Sequence, residues 1–417
     1  MNRRVGVRAR LGGAAVIVAA ALALVAASGL PASAAPETAP ADATAATLER
    51  VARQAMDTYH LKALIVRVTQ DGREVYTDAL GESMTGVPAT TDMHFRNGAF
   101  AFTYIGQTFA RLADEKKLSL DDPLSTWLPE LPRSRQITVR QLLNMTSGYA
   151  DYVYLPRVGR AVQRNPFRQW NSDQLIRLGV TAPMDFAPGT NWGYSHTNYV
   201  ILGRVLEKIT GTSTAEVLQD YVLGPMGLTG TSSNGNTPAV PEPVLHTFTS
   251  ERRGYLEVPR RLPFYEEATF WNPSWTTAPG AVMTSTIRDV TTSMEIVGSG
   301  SQVSPDMYQQ QVGQNLVGFG KKDPTGACQS CRPNTTAFSY GLGVVLLGPW
   351  ITQTMNFAGQ GATSGYLPSE KLTISVAVTY LPTAFDRDGV YANSSALIFG
   401  EFGDALAPGT LPPRPPS

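Results

Sequence analysis

The sequence is poor in the residues that build metal and redox centres. Its 417 residues include only two cysteines and four histidines. A structural zinc site needs four nitrogen, sulfur or oxygen ligands close together. The histidines, at His60, His94, His196 and His246, are far from both cysteines along the chain. We therefore expect no bound metal and no cofactor.

The two cysteines, Cys328 and Cys331, are separated by only two residues. A redox-active pair with this spacing normally opens a helix in a βαβ unit. Here the pair is surrounded by Pro324, Gly326 and Pro333, which predict a loop. In an exported protein the usual state of such a pair is oxidised, so we predict a structural disulfide between Cys328 and Cys331.

An excess of positive charge is also lacking. The chain has 34 basic and 34 acidic residues, which gives a formal net charge of zero. Binding to nucleic acid needs a basic excess or a basic stripe to neutralise phosphates. The overall composition therefore argues against nucleic acid as a partner. The hydrophobic fraction of 42% is sufficient for a sizeable core.

The N-terminus has the three parts of a secretory signal peptide. An apolar run occupies residues 12–27, and a small-x-small cleavage site follows at residues 32–34. The run is short for a membrane span, which needs about 20 apolar residues. The positive residues before it are Arg3, Arg4, Arg8 and Arg10. We predict cleavage after a signal peptide at residues 1–34, no transmembrane span afterwards, and a secreted or cell-envelope location. The general secretion and twin-arginine routes both stay open.

The rest of the chain predicts one large α+β domain. We assign residues 35–45 to a disordered linker, 46–404 to the domain and 405–417 to a proline-rich tail. Strands are predicted at residues 63–70, 73–80, 341–347 and 372–380, and helices at 47–59, 101–116, 138–143, 198–209, 213–221, 286–297 and 390–400. Strands therefore come first and last, with helices between, so the two ends of the chain are expected to share one antiparallel sheet.

Several short stretches, in this order, resemble the β-lactamase-related serine hydrolases, a group that includes DD-peptidases, class C β-lactamases, D-aminopeptidases and esterases. The resemblance covers about residues 45–400 and implies an antiparallel sheet flanked by helices, joined to a helical region, with the active site between them. The stretches are residues 95–98, 117–123, 142–148, 188–190, 194–199, 285–289, 340–344 and 361–366.

The family's chemistry, as the resemblance implies it, needs three motifs. A Ser-x-x-Lys pair places the nucleophilic hydroxyl beside an amine that removes its proton. A Tyr-x-Asn motif transfers protons and holds the substrate. A Lys/His-x-Gly strand binds the substrate carboxylate and frames the oxyanion hole.

Each motif is altered in this chain. The serine position is Ala99 and the lysine position is Phe102. Tyr194 is present, but His196 occupies the asparagine position. The basic residue of the third motif is replaced by Gly359, which is followed by Gln360, Gly361 and Ala362. None of the seven lysines follows a serine, threonine or cysteine by three residues, so the pair is absent from the whole chain.

Loss of the nucleophile alone costs roughly 10⁶-fold in turnover in a hydrolase whose catalytic groups act as a unit. The leading hypothesis is therefore a non-catalytic member of the family that binds a peptide or a peptidoglycan-derived ligand. The candidate ligand-binding residues are Ala99, Tyr194, His196, Gly359, Gln360, Gly361 and Ala362. Two alternatives stay open. One is a hydrolase that uses Tyr194, Ser195 or His196 by another route. The other is a structural domain of the envelope in which Phe102 closes the cleft.

Overall fold

The computed structural model describes residues 39–235 and 237–412, so the predicted signal peptide lies outside the described residues. The helices are α1 (Ala39–Thr58), α2 (Phe100–Asp114), α3 (Val139–Leu143), α4 (Pro156–Arg164), α5 (Ser172–Val180), α6 (His196–Thr210), α7 (Thr214–Leu218), α8 (Ile287–Ser299), α9 (Pro305–Val312) and α10 (Ser395–Leu406). The strands are β1 (Leu61–Gln70), β2 (Arg73–Met84), β3 (Val87–Pro88), β4 (Phe95–Arg96), β5 (Ser232–Ser233), β6 (Phe248–Thr249), β7 (Glu266–Glu267), β8 (Met283–Ser285), β9 (Ser339–Tyr340), β10 (Val345–Leu347), β11 (Trp350–Phe357), β12 (Gln360–Leu367) and β13 (Leu372–Tyr380). None of the helices in these ranges is long and apolar enough to cross a membrane.

One antiparallel sheet joins the two ends of the chain. Its strand order is β3-β2-β1-β13-β12-β11-β10-β9. The first long strand, β1, pairs directly with the last, β13, and β13 pairs on its other edge with β12. The expected α+β fold, with both termini contributing to one sheet, is confirmed.

The sheet is covered on both faces, and each face has its own apolar core. Leu64 and Val66 of β1 pack with α1 and α10, whereas Ile65 between them belongs to the core shared with the helical region. Successive strand residues point to opposite faces, which explains this division. All nine residues of β13 are buried, as expected for a strand covered on both sides.

The helical region is inserted between two short strands. Helices α2 to α7 lie between β4 and β5 in the chain, and these strands join β8 in a small three-stranded sheet. Helix α3 begins with a capping box: Thr138 accepts a hydrogen bond from the Gln141 backbone, and the Gln141 side chain accepts one from the Thr138 backbone. Helix α8 packs on the large sheet from the same side as this region.

Both ends of the domain differ from the prediction. Helix α1 begins at Ala39, so residues 39–45 are helical and not a disordered linker. Alanine is the best helix former, so the helix continues towards its N-terminus from the part that packs on the sheet. Helix α10 ends at Leu406, and beyond it Thr410 accepts a hydrogen bond from the Trp350 indole at 3.0 Å. Residues 405–411 are therefore not a loose tail.

The strands of the last third were only partly predicted. Of the strand expected over 341–347, only residues 345–347 form a strand, β10. The preceding residues form the turn between β9 and β10, in which Gly343 adopts a φ of 83°. Strands β11 and β12 were missed. β12 consists largely of glycine, alanine, serine and threonine, a composition that gives little strand signal when taken alone.

Candidate functional site

The start of α2 is held against the sheet by a close backbone approach. Gly98 has a φ of +49°, and a Cβ added there would lie 2.2 Å from the Cγ of Met355 in β11. Ala99 follows as the N-cap residue, and Phe102 comes one helical turn later. Because residues three apart on a helix share a face, Ala99 and Phe102 both line the same cavity.

The cavity lies where α2, β11 and the loop before α6 meet, and its volume is about 350 Å³. Of the residues predicted from the sequence, Ala99, Phe102, Tyr194 and His196 are brought together in its wall. No serine, cysteine, lysine, aspartate or glutamate lines it among the described residues. Much of the wall is aromatic, with Phe102, Tyr154, Tyr194, His196, Trp275 and Phe357.

Phe102 occupies the lysine position as a packed core residue. Its side chain is 1% exposed, and its ring stacks on that of Tyr199 with centroids 4.0 Å apart and planes 12° apart. It also meets the edge of the His196 ring at 5.6 Å. Phe102 therefore replaces the amine with an apolar surface, yet it leaves the cavity beside it open.

His196 is oriented by a carboxylate that the sequence did not indicate. Its Nδ1 lies 2.8 Å from Oδ2 of Asp151, whose other oxygen accepts a hydrogen bond from the Val153 backbone. Asp151 is buried and His196 separates it from the cavity. The two residues are 45 positions apart in the sequence. The one local signal for Asp151 was its position three residues after Gly148, the last residue of the family-like stretch 142–148.

Tyr194 cannot act as a base at neutral pH. Burial raises the pKa of its phenol well above 10, and the nearby Tyr340 and Asp151 raise it further. The phenol therefore stays protonated near pH 7, where it can only donate or accept hydrogen bonds. Its ring meets the His196 ring edge-on, with centroids 5.3 Å apart.

The disulfide supports the backbone beside Tyr194. Cys328 and Cys331 are bonded to each other, as predicted. A Cβ added at Gly193 would lie 3.1 Å from both sulfur atoms, so the bridge packs directly on that residue. Ser330, inside the disulfide loop, donates a hydrogen bond to the Tyr194 carbonyl at 2.9 Å. The short disulfide loop thus supports the loop before α6, which carries Tyr194 to the cavity.

Three buried polar groups in the cavity wall have no hydrogen-bond partner among the residues that the structure describes. They are Nε of Arg96, Nδ2 of Asn97 and Oγ1 of Thr277, on residues that are 1–4% exposed. The rest of the Arg96 guanidinium donates to the carbonyls of Pro238, Ala239 and Thr269, without a carboxylate. Burial lowers the pKa of Arg96 to about 10, so it remains charged at neutral pH.

The residues assigned to the third motif do not make the predicted contacts with the cavity. Residues 359–362 (Gly359, Gln360, Gly361 and Ala362) do not line the cavity, and β12 is separated from it by the neighbouring strand β11. A Cβ at Gly359 would lie 1.9 Å from the Phe248 carbonyl, which leaves no space for a longer side chain. The cavity is instead bordered by Thr354, Met355, Asn356 and Phe357 of β11.

β11, the strand that borders the cavity, also provides no basic group. Residues 353–357 of β11 read Gln-Thr-Met-Asn-Phe, so neither lysine nor histidine is present at the strand that faces the cavity. The sequence offered one signal for β11: its Trp, Ile, Thr and Phe residues lie between Gly348-Pro349 and Ala358-Gly359, a pattern typical of a strand between two turns.

Two serines of the family-like stretches, Ser147 and Ser195, are directed away from the cavity. Ser147 Oγ is buried and donates to Oδ1 of Asn198 at 2.7 Å. Ser195 is 1% exposed, and neither serine lines the cavity. Phe100 and Tyr104 of α2 are core residues, so of these three α2 aromatics only Phe102 reaches the cavity.

Comparison with known proteins gives the same family as the motifs. The profile of the Beta-lactamase family matches residues 48–396. Esterase EstB of Burkholderia gladioli is 28% identical over 392 residues, which covers 84% of this chain and 95% of that protein. Penicillin-binding protein 4 of Amycolatopsis lactamdurans is 33% identical over 174 residues, 40% of this chain and 42% of that protein.

Among solved structures, a D-stereospecific amidohydrolase from Streptomyces sp. has the same fold. Its TM-score is 0.69 at 23% identity, over 87% of this chain and 98% of that one. A penicillin-binding protein from Bacillus halodurans matches with a TM-score of 0.62 at 17% identity, over 80% and 94% of the two chains. The chain therefore belongs to the Beta-lactamase family, the group of serine hydrolases that its motifs resemble.

Proposed function

We propose that this protein is an exported, non-catalytic member of the family whose cleft binds a peptide or cell-wall-derived ligand reversibly. The proposal rests on Ala99 and Phe102 at the start of α2. The family's acyl-enzyme chemistry needs a hydroxyl oxygen at the position of Ala99 and an amine at that of Phe102. A methyl group cannot form an ester, and an apolar ring cannot accept a proton.

The cavity wall supports a ligand that offers hydrogen-bond acceptors. The unpartnered groups of Arg96 and Asn97 can only donate, and the Thr277 hydroxyl can donate as well. A buried donor without a partner costs about 1–3 kcal/mol. Arg96 carries a positive charge and no carboxylate lines the described cavity. A carboxylate or peptide carbonyl in the cavity would satisfy these groups, so we infer a ligand of that chemistry.

The closed-cleft alternative has less support. Phe102 lies flat on Tyr199 and leaves a cavity of about 350 Å³ beside it. That volume falls within the usual range for small-ligand sites. A purely structural domain has no need for an open, polar-lined cavity.

A hydrolase without a covalent intermediate is the second candidate, and one contact favours it. If Asp151 accepts a hydrogen bond from Nδ1 of His196, the other ring nitrogen is left as a base that a water molecule in the cavity could use. Turnover of a p-nitrophenyl ester that His196→Ala abolishes would establish this activity and refute the non-catalytic proposal.

The proposal is tested first by mass. We expect no covalent adduct on the mature protein after incubation with a fluorescent penicillin, as judged by intact mass spectrometry, and no hydrolysis of a chromogenic β-lactam. The same protein should show a raised melting temperature with a D-Ala-D-Ala peptide, because a ligand that binds only the folded state stabilises it. An adduct, or no shift with any peptide carboxylate, contradicts the proposal.

A pair of matched variants tests the cavity donors. Thr277→Val removes the unpartnered hydroxyl of the cavity wall and is expected to weaken peptide binding about fivefold or more, because the lost hydrogen bond contributes about 1 kcal/mol. Thr379→Val is the control, since its hydroxyl is also buried and unpartnered but does not line the cavity. Neither variant should reduce stability. Equal peptide affinity in both variants would remove Thr277 from the binding site.

A further inference from the structure

The segment that forms one wall of the cleft is strongly basic, although the whole chain has no net charge. Residues 152–172 contain no aspartate or glutamate and four arginines: Arg157, Arg160, Arg164 and Arg168. All four are exposed. An uncompensated group of this kind in a neutral protein produces a local positive potential.

Three of the arginines form a stripe along α4. Arg157, Arg160 and Arg164 are spaced by three and four residues, which places them on one face of the helix. At a rise of about 1.5 Å per residue, the stripe extends over about 10 Å. We call these three residues the arginine stripe.

The guanidinium groups of the segment are not engaged by carboxylates within the described residues. Arg157 donates to the Leu178 carbonyl at 3.3 Å, and Arg168, beyond the stripe, lies over the Trp170 ring at 3.8 Å. Arg252 donates to the Gln163 carbonyl of α4, and its own charge is paired with Glu266. The positive charge of the stripe is therefore available to a partner.

The face of α4 opposite the arginine stripe packs against the rest of the protein. Val158 is 2% exposed and joins the main core. Val158, Gly159 and Val162 also line a chamber of about 300 Å³, which shares Trp275 and Phe357 with the main cavity. A helix that binds a membrane surface inserts its apolar face among the lipids. Because Val158 is already buried and Val162 is partly buried, α4 offers no free apolar face of this kind, and the stripe is suited to a partner held by charge alone.

We propose that the arginine stripe binds a linear polyanion with repeated phosphate groups, other than nucleic acid, along α4. Guanidinium groups bind phosphate oxygens in a bidentate manner and stay charged at every physiological pH. Several of them in a row can contact successive phosphates of one chain. The surface is independent of the ligand proposed for the cavity, since the stripe residues do not line the cavity.

The test uses long-chain inorganic polyphosphate as the probe. The wild-type protein should bind it in 50 mM salt, with an affinity that falls steeply as salt is added, because binding releases counterions. Replacement of the stripe by glutamine (Arg157→Gln, Arg160→Gln, Arg164→Gln) should lower affinity at least about tenfold and reduce the slope of log K against log salt by about 2.

The control removes the same charge from scattered exposed positions. Arg50→Gln, Arg73→Gln and Arg261→Gln together give the same net charge, and this variant should bind polyphosphate within about twofold of wild type. Thermal melts verify that both variants are folded. An equal loss in the two variants, no binding by wild type, or binding to phosphatidylglycerol vesicles without binding to polyphosphate would each overturn the proposal.

Discussion

At the scale of single residues, burial shifts the pKa values of side chains in and around the cavity. It raises the pKa of the Tyr194 phenol well above 10, and it lowers that of Arg96, which lies among carbonyl groups, to about 10. The same effect acts on Asp185, whose backbone N–H donates a hydrogen bond to the Gly148 carbonyl at 2.9 Å. Burial raises the pKa of Asp185 to about 6, and the negative charges of Asp151 and Asp323 raise it further.

The raised pKa of Asp185 predicts a pH-dependent loss of stability. In the unfolded chain this carboxyl ionises near pH 4, whereas in the folded protein it holds its proton to about pH 6. Its favourable contribution is therefore complete below pH 4 and is lost as the pH rises to about 6. We expect Asp185→Asn to raise the free energy of unfolding by about 1 kcal/mol above pH 6, with allowance for partial exposure, and to give no gain below pH 4.

Urea unfolding at pH 4 and pH 7.5 checks this prediction. Asp220→Asn is the matched control, because Asp220 is exposed and its replacement should change stability little at either pH. A gain from Asp185→Asn that is the same at both pH values would show that the carboxyl titrates normally.

At the scale of secondary structure elements, α2 decides the position of the site because it lies directly on the turn between β9 and β10. A Cβ added at Gly106 would lie 2.2 Å from the Leu342 carbonyl oxygen, and one added at Gly343 would lie 2.3 Å from the Phe102 carbonyl oxygen. The two backbones are thus in contact. This close approach holds Phe102, and with it Ala99, at the cavity.

Two glycine-to-alanine substitutions in helices should therefore have opposite effects. Alanine is the better helix former by about 1 kcal/mol, yet at Gly106 its methyl group would collide with backbone, so we expect a net loss of about 2 kcal/mol. At Gly159 of α4 no atom lies within 4 Å of an added Cβ, and there we expect a gain of up to about 1 kcal/mol. Denaturant unfolding of both variants provides the measurement, and a gain at Gly106 would refute the contact.

Local patterns predicted elements of both kinds and also missed elements of both kinds. Strands β1, β2 and β13 begin within two residues of their predicted positions, whereas helices α4, α5 and α9 were not predicted. Helices α3, α6 and α8 begin within two residues of the predicted positions, because their apolar spacing and caps are local signals. Strands β11 and β12 were missed because their polar and small residues are buried by the neighbouring layers of the fold. Misplacement of the third motif followed directly from the omission of β11.

At the scale of the whole molecule, the central sheet ties the first and last segments together. β13 pairs with β1 on one edge and with β12 on the other, and it separates the core under α1 and α10 from the core of the helical region. Damage to this strand should therefore affect both cores. Ile374 of β13 is fully buried in the α1–α10 core.

We expect Ile374→Ala to lower the free energy of unfolding by about 3 kcal/mol, because it leaves a cavity in a packed core. The transitions followed by far-ultraviolet circular dichroism and by tryptophan fluorescence should shift together, since Trp350 and Trp192 belong to the two different cores. Leu381→Ala, at a position 39% exposed just after the strand, should change stability by less than about 0.5 kcal/mol. Separate shifts of the two signals would show that the cores unfold independently.

The sequence by itself determined which atoms are available for chemistry. Folding cannot supply the oxygen that Ala99 lacks or the nitrogen that Phe102 lacks, and the short-range pairing of Cys328 with Cys331 followed from their spacing. Only the tertiary structure decided which strand borders the cavity, which carboxylate holds His196, and which buried donors were left without partners. These features depend on contacts between residues far apart in the chain, and local patterns contain no information about which distant segments will meet.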